Sequence, residues 1–207
     1  MKNYIYDNLV DKLILDLNNL SIKSNITSSR QKHGFIYEQE IIKKFNLVPT
    51  VQNSCFDAIY FNKDNSFMEK LYVQIKCIKN GSSIDMGSFI KNQNITKDFL
   101  LIIGFWDKEK TIVNEHILYI DTKLYIKDTV FEFTTEMHNE MKSISNHKKD
   151  DLLWSEFIKK YKKLYPKDNL IKLRFKRDHK TQKRIQCAIN FKTFNTLFMQ
   201  KYKKFKL

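Results

Sequence analysis

A chain of 207 residues that is 42% hydrophobic and 14% aromatic has the material for one sizeable core, and its formal net charge of +14 points toward a polyanionic partner. No run of 18 apolar residues occurs, so no transmembrane helix and no membrane partner are expected. Acidic residues within MKNYIYDNLVDKLILDL argue against a signal peptide, and two prolines and four glycines leave no low-complexity linker.

Taken in chain order, residues 4–20 place Ile5, Leu9, Leu13 and Leu17 at helical spacing. After the polar SIKSNITSS, Ser28 is placed to cap a second helix reaching about Phe45 or Asn46, with Pro49 as the breaker beyond it. Strands are predicted near 54–61 and 71–79, joined by the turn-rich NKDNSF. GSSID reads as a loop before a short helix near 86–94. FLLIIGFW, 99–106, is continuously apolar and reads as a central strand buried on both faces. EHILYID, 115–121, is another strand, and 129–134 is a candidate for a further short one.

Residues 150–165 are helical in pattern, with Leu153, Trp154, Phe157, Ile158 and Tyr161 on one side. NLIKLRFKR and RIQCAINF then alternate strictly around DHKTQK, which predicts a second hairpin. Its first strand sets Ile171, Leu173 and Phe175 on one face and Lys172, Arg174 and Lys176 on the other. Residues 193–206 read as a short basic helix. The element order predicts an α/β fold with a mixed central sheet flanked by helices. Residues 1–141 form its core, and 142–207 form a basic helix–hairpin–helix extension of the same globular domain.

The charge is unevenly spread. Residues 1–141 hold 17 Lys and Arg against 18 Asp and Glu, while 142–207 hold 20 against 5. A basic segment on a foldable chain suggests nucleic acid. Only 4 of the 37 cations are Arg, so a lysine-rich solvated surface is the competing reading. Cys55, Cys77 and Cys187 are odd in number and lack CxxC spacing, which fits free thiols in a reducing cytoplasm rather than a zinc site.

The first hairpin, FDAIYF and YVQIKC, keeps polar groups among apolar ones. Alternation puts Tyr72, Gln74 and Lys76 on one face of the second strand, Gln74 and Lys76 roughly 7 Å apart. Asp57 lies on the partner strand, on the face with Cys55 and Ile59. A half-buried carboxylate is costly unless a lysine or a divalent cation compensates it. In the preceding helix, Phe35, Ile41, Ile42 and Phe45 form an apolar stripe that contains Glu38, whereas Glu40 falls on the side of Lys43 and Lys44. Glu38 should therefore face the sheet and Glu40 water. Taken singly, an Asp57–Lys76 ion pair and a stripe-edge Glu38 are structural features. Together, two carboxylates, an amide and a lysine suit Mg²⁺, which accepts hard oxygen ligands and shares phosphate oxygens.

At these residues the chain resembles the PD-(D/E)xK nuclease superfamily, the restriction-endonuclease-like fold. GFIYE (34–38) matches its acidic helix, FD (56–57) its Asp and QIK (74–76) its final element, with Phe56 in place of Pro and Gln74 in place of the acidic residue. The resemblance covers 34–76 by motif and about 28–121 by element order. It implies Asp57 and Glu38 as ligands of a Mg²⁺ cofactor, with Gln74 and the Ile75 carbonyl as further oxygens. Lys76 is then the residue that activates water or stabilises the transition state. It also implies a homodimer.

For substrate, Lys172, Arg174 and Lys176 on the hairpin face, and Arg177, Lys180, Lys183 and Arg184 around its turn, are candidate DNA contacts. A two-stranded ribbon fits a major groove. Gln182, Gln186 and Asn190 are candidate base readers. Ser28, Arg30, Lys32 and His33 are candidate backbone contacts, His33 otherwise being a surface residue. The function expected is a Mg²⁺-dependent endonuclease of double-stranded DNA of the type II restriction kind. A structure-selective or repair nuclease of the same superfamily, and a non-catalytic nucleic-acid-binding protein, are the alternatives.

Overall fold

The computed structural model of the chain describes residues 30–51, 54–61, 70–129, 135–146, 151–164, 169–177 and 183–205. The helix expected over 4–20, the loop NKDNSF, Gln182 and Lys180 lie outside them. In order, the elements are α1 (Arg30–Lys44), β1 (Val48–Pro49), β2 (Ala58–Phe61), β3 (Lys70–Lys79), β4 (Ile84–Ser88), α2 (Phe89–Gln93), β5 (Phe99–Trp106) and β6 (Ile112–Ile120). There follow α3 (Thr122–Thr129), α4 (Thr135–Asn146), α5 (Asp151–Leu164), β7 (Ile171–Arg177) and β8 (Lys183–Ile189). The chain then runs through α6 (Phe191–Thr193), a π-helical turn (Phe194–Phe198), α7 (Met199–Lys201) and β9 (Lys203–Phe205).

The fold is mixed α/β. A six-stranded sheet has the order β1-β2-β3-β5-β6-β9, and a three-stranded sheet the order β4-β8-β7. Strands β1, β2 and β3 are antiparallel neighbours, β5 runs parallel to β3, and β6 and β9 return antiparallel. Every residue of β5 except Trp106 is buried, as its unbroken apolar run predicts.

One face of the large sheet, carrying Leu71, Val73, Ile75, Leu100 and Ile102, is covered by α1 through Tyr37, Ile41, Ile42 and Phe45. Ile41, Ile42 and Phe45 each contribute ~1.5–3 kcal/mol by burial, so packing rather than intrinsic helix propensity holds α1 in place. Phe35 is 61% exposed and is not part of the stripe. It lies about 200° around the helix from Tyr37, at 3.6 residues per turn. The helix ends where Asn46 takes a left-handed conformation, with φ of 49°, and Leu47 donates back to the Ile42 carbonyl at 2.9 Å.

The other face carries Phe99, Leu101, Ile103 and Phe105 into a larger core shared with α4, α5 and the apolar residues of β7 and β8. Three expectations are corrected here. Residues 84–88 form a strand, where the sequence pattern puts Ile84 and Asp85 in a loop and 86–88 in the start of a helix, because they pair with the distant β8. Residue 129 ends a helix rather than starting a strand, and α3 and α4 had no recognised pattern. The tail is not one helix over 193–206: its helical part spans 191–201, and Lys203–Phe205 pairs with β6. Through β4–β8 and β6–β9 the last third of the chain is built into both sheets.

One close approach governs the stacking of α1 on the sheet. A Cβ at Gly104 of β5 would lie 2.6 Å from Cζ of Tyr37, well inside contact distance. Gly104→Ala is therefore expected to lose about 1–3 kcal/mol, the usual scale of overpacking. Urea denaturation checks this, and Tyr37→Leu in the same chain should recover part of the loss. Equal stability of Gly104→Ala and wild type would show that α1 is not seated on that glycine.

Candidate active site

Three side chains named by the sequence, Asp57, Gln74 and Lys76, come together at the end of the first hairpin, and Glu38 of α1 lies in the field of Asp57 and Lys76. The β2–β3 register pairs Ala58 with Val73, so Asp57 stands opposite Gln74. The Asp57 N–H donates to the Val73 carbonyl at 3.0 Å and continues the ladder by one residue. Beyond it β2 has no residue left to offer Ile75. The Asp57 carboxylate takes that place, with Ile75 N–H donating to Oδ2 at 2.7 Å. A residue's N–H and C=O leave a strand on the same side, so the Ile75 carbonyl also points to this edge.

Asp57 is held from its other side by Thr50, a residue that no sequence signal marked. The Thr50 N–H donates to the Asp57 carbonyl at 3.1 Å, and its hydroxyl donates to the Phe56 carbonyl. Phe56 is buried against Tyr72, ring centroids 4.7 Å apart, and against Phe99 at 5.4 Å. An aromatic anchor thus fills the position just before the aspartate.

Lys76 Nζ lies 3.7 Å from Asp57 Oδ2, an ion pair too long to be a hydrogen bond, with both side chains about a quarter exposed. Gln74 is 6% exposed, and its Oε1 is buried with no hydrogen-bond partner among the described residues. Leaving such an acceptor unpaired costs about 1–3 kcal/mol. Glu38 is half-buried on α1. Burial raises its pKa, the Asp57 charge raises it further, and Lys76 opposes both. Those couplings place Glu38 in the field of the other two groups.

The chemistry of this set is specific. Among the described residues no three His, Cys, Asp or Glu side chains form a metal cage. Two carboxylates, an unpartnered amide oxygen and an outward-facing carbonyl suit a hard cation that retains several waters. A cation would relieve the Glu38–Asp57 repulsion and give Gln74 Oε1 a partner, so the residues fit Mg²⁺ in kind.

Other expected positions resolve differently. Glu40 is half-buried rather than wholly in water: its Oε2 is buried without a hydrogen-bond partner among the described residues, and its charge acts on Cys77 and Tyr37. His33 is not a surface residue; it is 1% exposed and stacked on Trp106 at 5.3 Å. Asn190 spends its side-chain oxygen capping α6, accepting from the Lys192 N–H at 2.9 Å. Lys172 and Arg174 are exposed on β7, as expected, and Lys176 lies 3.8 Å from Asp85. In register, Lys176 faces Arg184 and Arg177 faces Lys183 at the turn end of the hairpin. Arg30 opens α1. The three cysteines are free, Cys187 buried and Cys55 and Cys77 half-buried.

No protein-family model matches the chain, and no curated protein matches it. No described helix is long and apolar enough to cross a membrane.

The Glu38 shift has a measurable sign. Its pKa is raised on folding, so folding favours the neutral acid. The associated stability is full below the unfolded-state pKa and is lost as pH rises through the higher folded-state value. Glu38→Gln should therefore be more stable than wild type at neutral pH without metal, and the gap should close toward pH 4. Adding Mg²⁺ at neutral pH should raise the wild-type melting temperature and leave Glu38→Gln nearly unmoved. Thermal melts across pH, with and without Mg²⁺, test both; a gap that widens on acidification would refute the placement of Glu38.

Proposed function

We propose that this chain is a Mg²⁺-dependent endonuclease that hydrolyses phosphodiester bonds of double-stranded DNA, of the restriction type within the PD-(D/E)xK superfamily. The observation that carries the reading is the Asp57–Lys76 pair opposite Gln74, in the field of Glu38, with the buried Gln74 amide oxygen unpaired among the described residues. The order of helix, hairpin, crossover and buried parallel strand supports the same assignment.

On this reading Asp57, Glu38, Gln74 Oε1 and the Ile75 carbonyl hold the ion, which when bound acidifies a water and offsets charge on the phosphate. The Ile75 N–H and Thr50 fix Asp57, so the carboxylate is in position before substrate arrives. Lys76, beside Asp57, orients the attacking water and stabilises the charge that develops on the phosphoryl oxygens. The basic face of β7 supplies phosphate contacts. Cutting both strands needs two such sites, which a homodimer provides.

The Asp57–Ile75 bond and the Asp57–Lys76 pair would also make a stable corner in a protein with no catalysis. Purified protein with Mg²⁺ separates the readings. Discrete fragments from unmethylated plasmid DNA support the restriction type, cutting of branched substrates alone indicates a structure-selective nuclease, and no cleavage of any substrate leaves a binding protein. Lys76→Ala should lower cleavage by ~100-fold or more while DNA binding persists. Near-wild-type cleavage by that variant would sink the assignment.

A second expectation concerns the grip on DNA. Replacing Lys172, Arg174 and Lys176 by Gln should leave stability within about ±0.5 kcal/mol. Each phosphate contact contributes about 0.9 to the slope of log K against log salt. The slope should therefore become shallower in the triple variant, by at most ~2.7 if all three touch phosphate and by less where Asp85 competes for Lys176. A salt titration of binding reads this directly, and an unchanged slope would move the DNA off β7.

A further inference from the structure

The outer face of the three-stranded sheet is basic, and an acid is set into it. Lys172, Arg174 and Lys176 alternate with the core-facing residues of β7 and turn outward. Asp85 of β4 lies between the buried Ile84 and Met86 and turns the same way. The registers pair Lys176 with Arg184 and Asp85 with Ala188, so β8 separates the two and they are offset along it. Lys176 Nζ nevertheless lies 3.8 Å from Asp85 Oδ2. The lysine stem therefore crosses β8 over Gln186, and Gln186 and Ala188 are buried although they alternate to the outer face. Asp85 is fixed in place to meet it. The ladder slips between Asp85 and Gly87, Gly87 takes a φ of 91°, and its N–H donates to Asp85 Oδ1 at 2.8 Å. The Asp85 and Lys176 side chains are 48% and 38% exposed, so a phosphate oxygen can reach the ammonium.

We propose that Asp85 restrains the grip on DNA by holding the Lys176 ammonium against the sheet until a phosphate displaces it. The inference rests on the DNA-binding half of the function proposed above. An exposed pair at this distance is weak, so it does not block binding; it subtracts from the affinity that the cation would otherwise supply. The carboxylate also repels the phosphates that the neighbouring cations attract. Phosphate contacts carry no sequence information, so the restraint falls alike on every duplex.

The test is binding of metal-free protein to duplexes of unrelated sequence across a salt series, so that cleavage plays no part. Asp85→Asn keeps an oxygen for the Gly87 N–H and loses the charge. It should bind every duplex about two- to fivefold more tightly at low salt, with the slope of log K against log salt steeper by up to ~0.9. Lys176→Gln added to Asp85→Asn should abolish most of that gain. Should Asp85→Asn fail to fold by urea denaturation, Asp85→Ser, whose hydroxyl accepts the same bond, takes its place. Unchanged or weaker binding by the variant overturns the inference. So does a gain that survives Lys176→Gln in full, because Asp85 then acts on phosphate alone. A gain confined to some sequences overturns it too, because Asp85 then reads bases. Any of these, with Mg²⁺-dependent cleavage intact, leaves the nuclease reading standing. The expected gain without any Mg²⁺-dependent cleavage overturns the nuclease reading and leaves this one. No binding of wild type or variant to any duplex overturns both.

Discussion

The contact between Tyr37 and Gly104 sets the geometry on which the candidate site depends. Cys77, Gly104 and Glu115 lie in one line across β3, β5 and β6. With no side chain at its centre, that row admits the hydroxyl end of the Tyr37 ring against the sheet. The hydroxyl donates to Glu115, and burial followed by the Glu115 charge holds its pKa well above that of a free tyrosine. It therefore stays a donor at any ordinary pH. Cys77 beside it is pushed up to about 12 by burial and by the charges of Glu40 and Glu115, so it stays a thiol. Helix α1 is fixed in depth and rotation by this cluster. Glu38 is the next residue, about 100° further around the helix, and its position beside Asp57 and Lys76 follows.

The site itself forms where regular pairing stops. β2 begins at Ala58, and the edge of β3 beyond it would carry an unpaired backbone donor. A side-chain carboxylate closes that gap at Ile75, and the same carboxylate stands next to Lys76. On the proposed function, structural and chemical roles fall on one residue. The requirement to satisfy a backbone N–H holds Asp57 in the orientation that phosphodiester chemistry would use. What remains unsatisfied, the Gln74 oxygen and the Glu38–Asp57 repulsion, is what a bound cation would settle.

The basic third of the chain is anchored through strand pairs in both sheets. Its apolar face packs into the larger core, while Lys172 and Arg174 of β7 and Lys159, Lys162 and Lys163 of α5 are exposed. Asp85, brought in by β4, sets a negative charge beside Lys176. Net charge by sequence segment therefore overstates the charge that a phosphate backbone would meet.

Local pattern determined much of this protein. The bounds of β5, the presence of the two hairpins and α5, and the alternation of Lys172, Arg174 and Lys176 with apolar neighbours follow from periodicity, because the spacing of apolar residues along an element marks its buried side whatever covers it. The grouping of Asp57, Gln74 and Lys76 was legible for the same reason, since a hairpin brings nearby residues together. Tertiary structure alone decided the rest. Ile84–Ser88 and Lys203–Phe205 are strands because their partners lie about a hundred residues and about eighty-five residues away, and no local signal carries that information. His33 is buried, Glu40 half-buried and Phe35 exposed because the seating of Tyr37 on Gly104 sets the rotation of α1. The apolar stripe left that rotation open, since several phases of one helix bury nearly the same area, and only the missing Cβ of a distant strand selects among them.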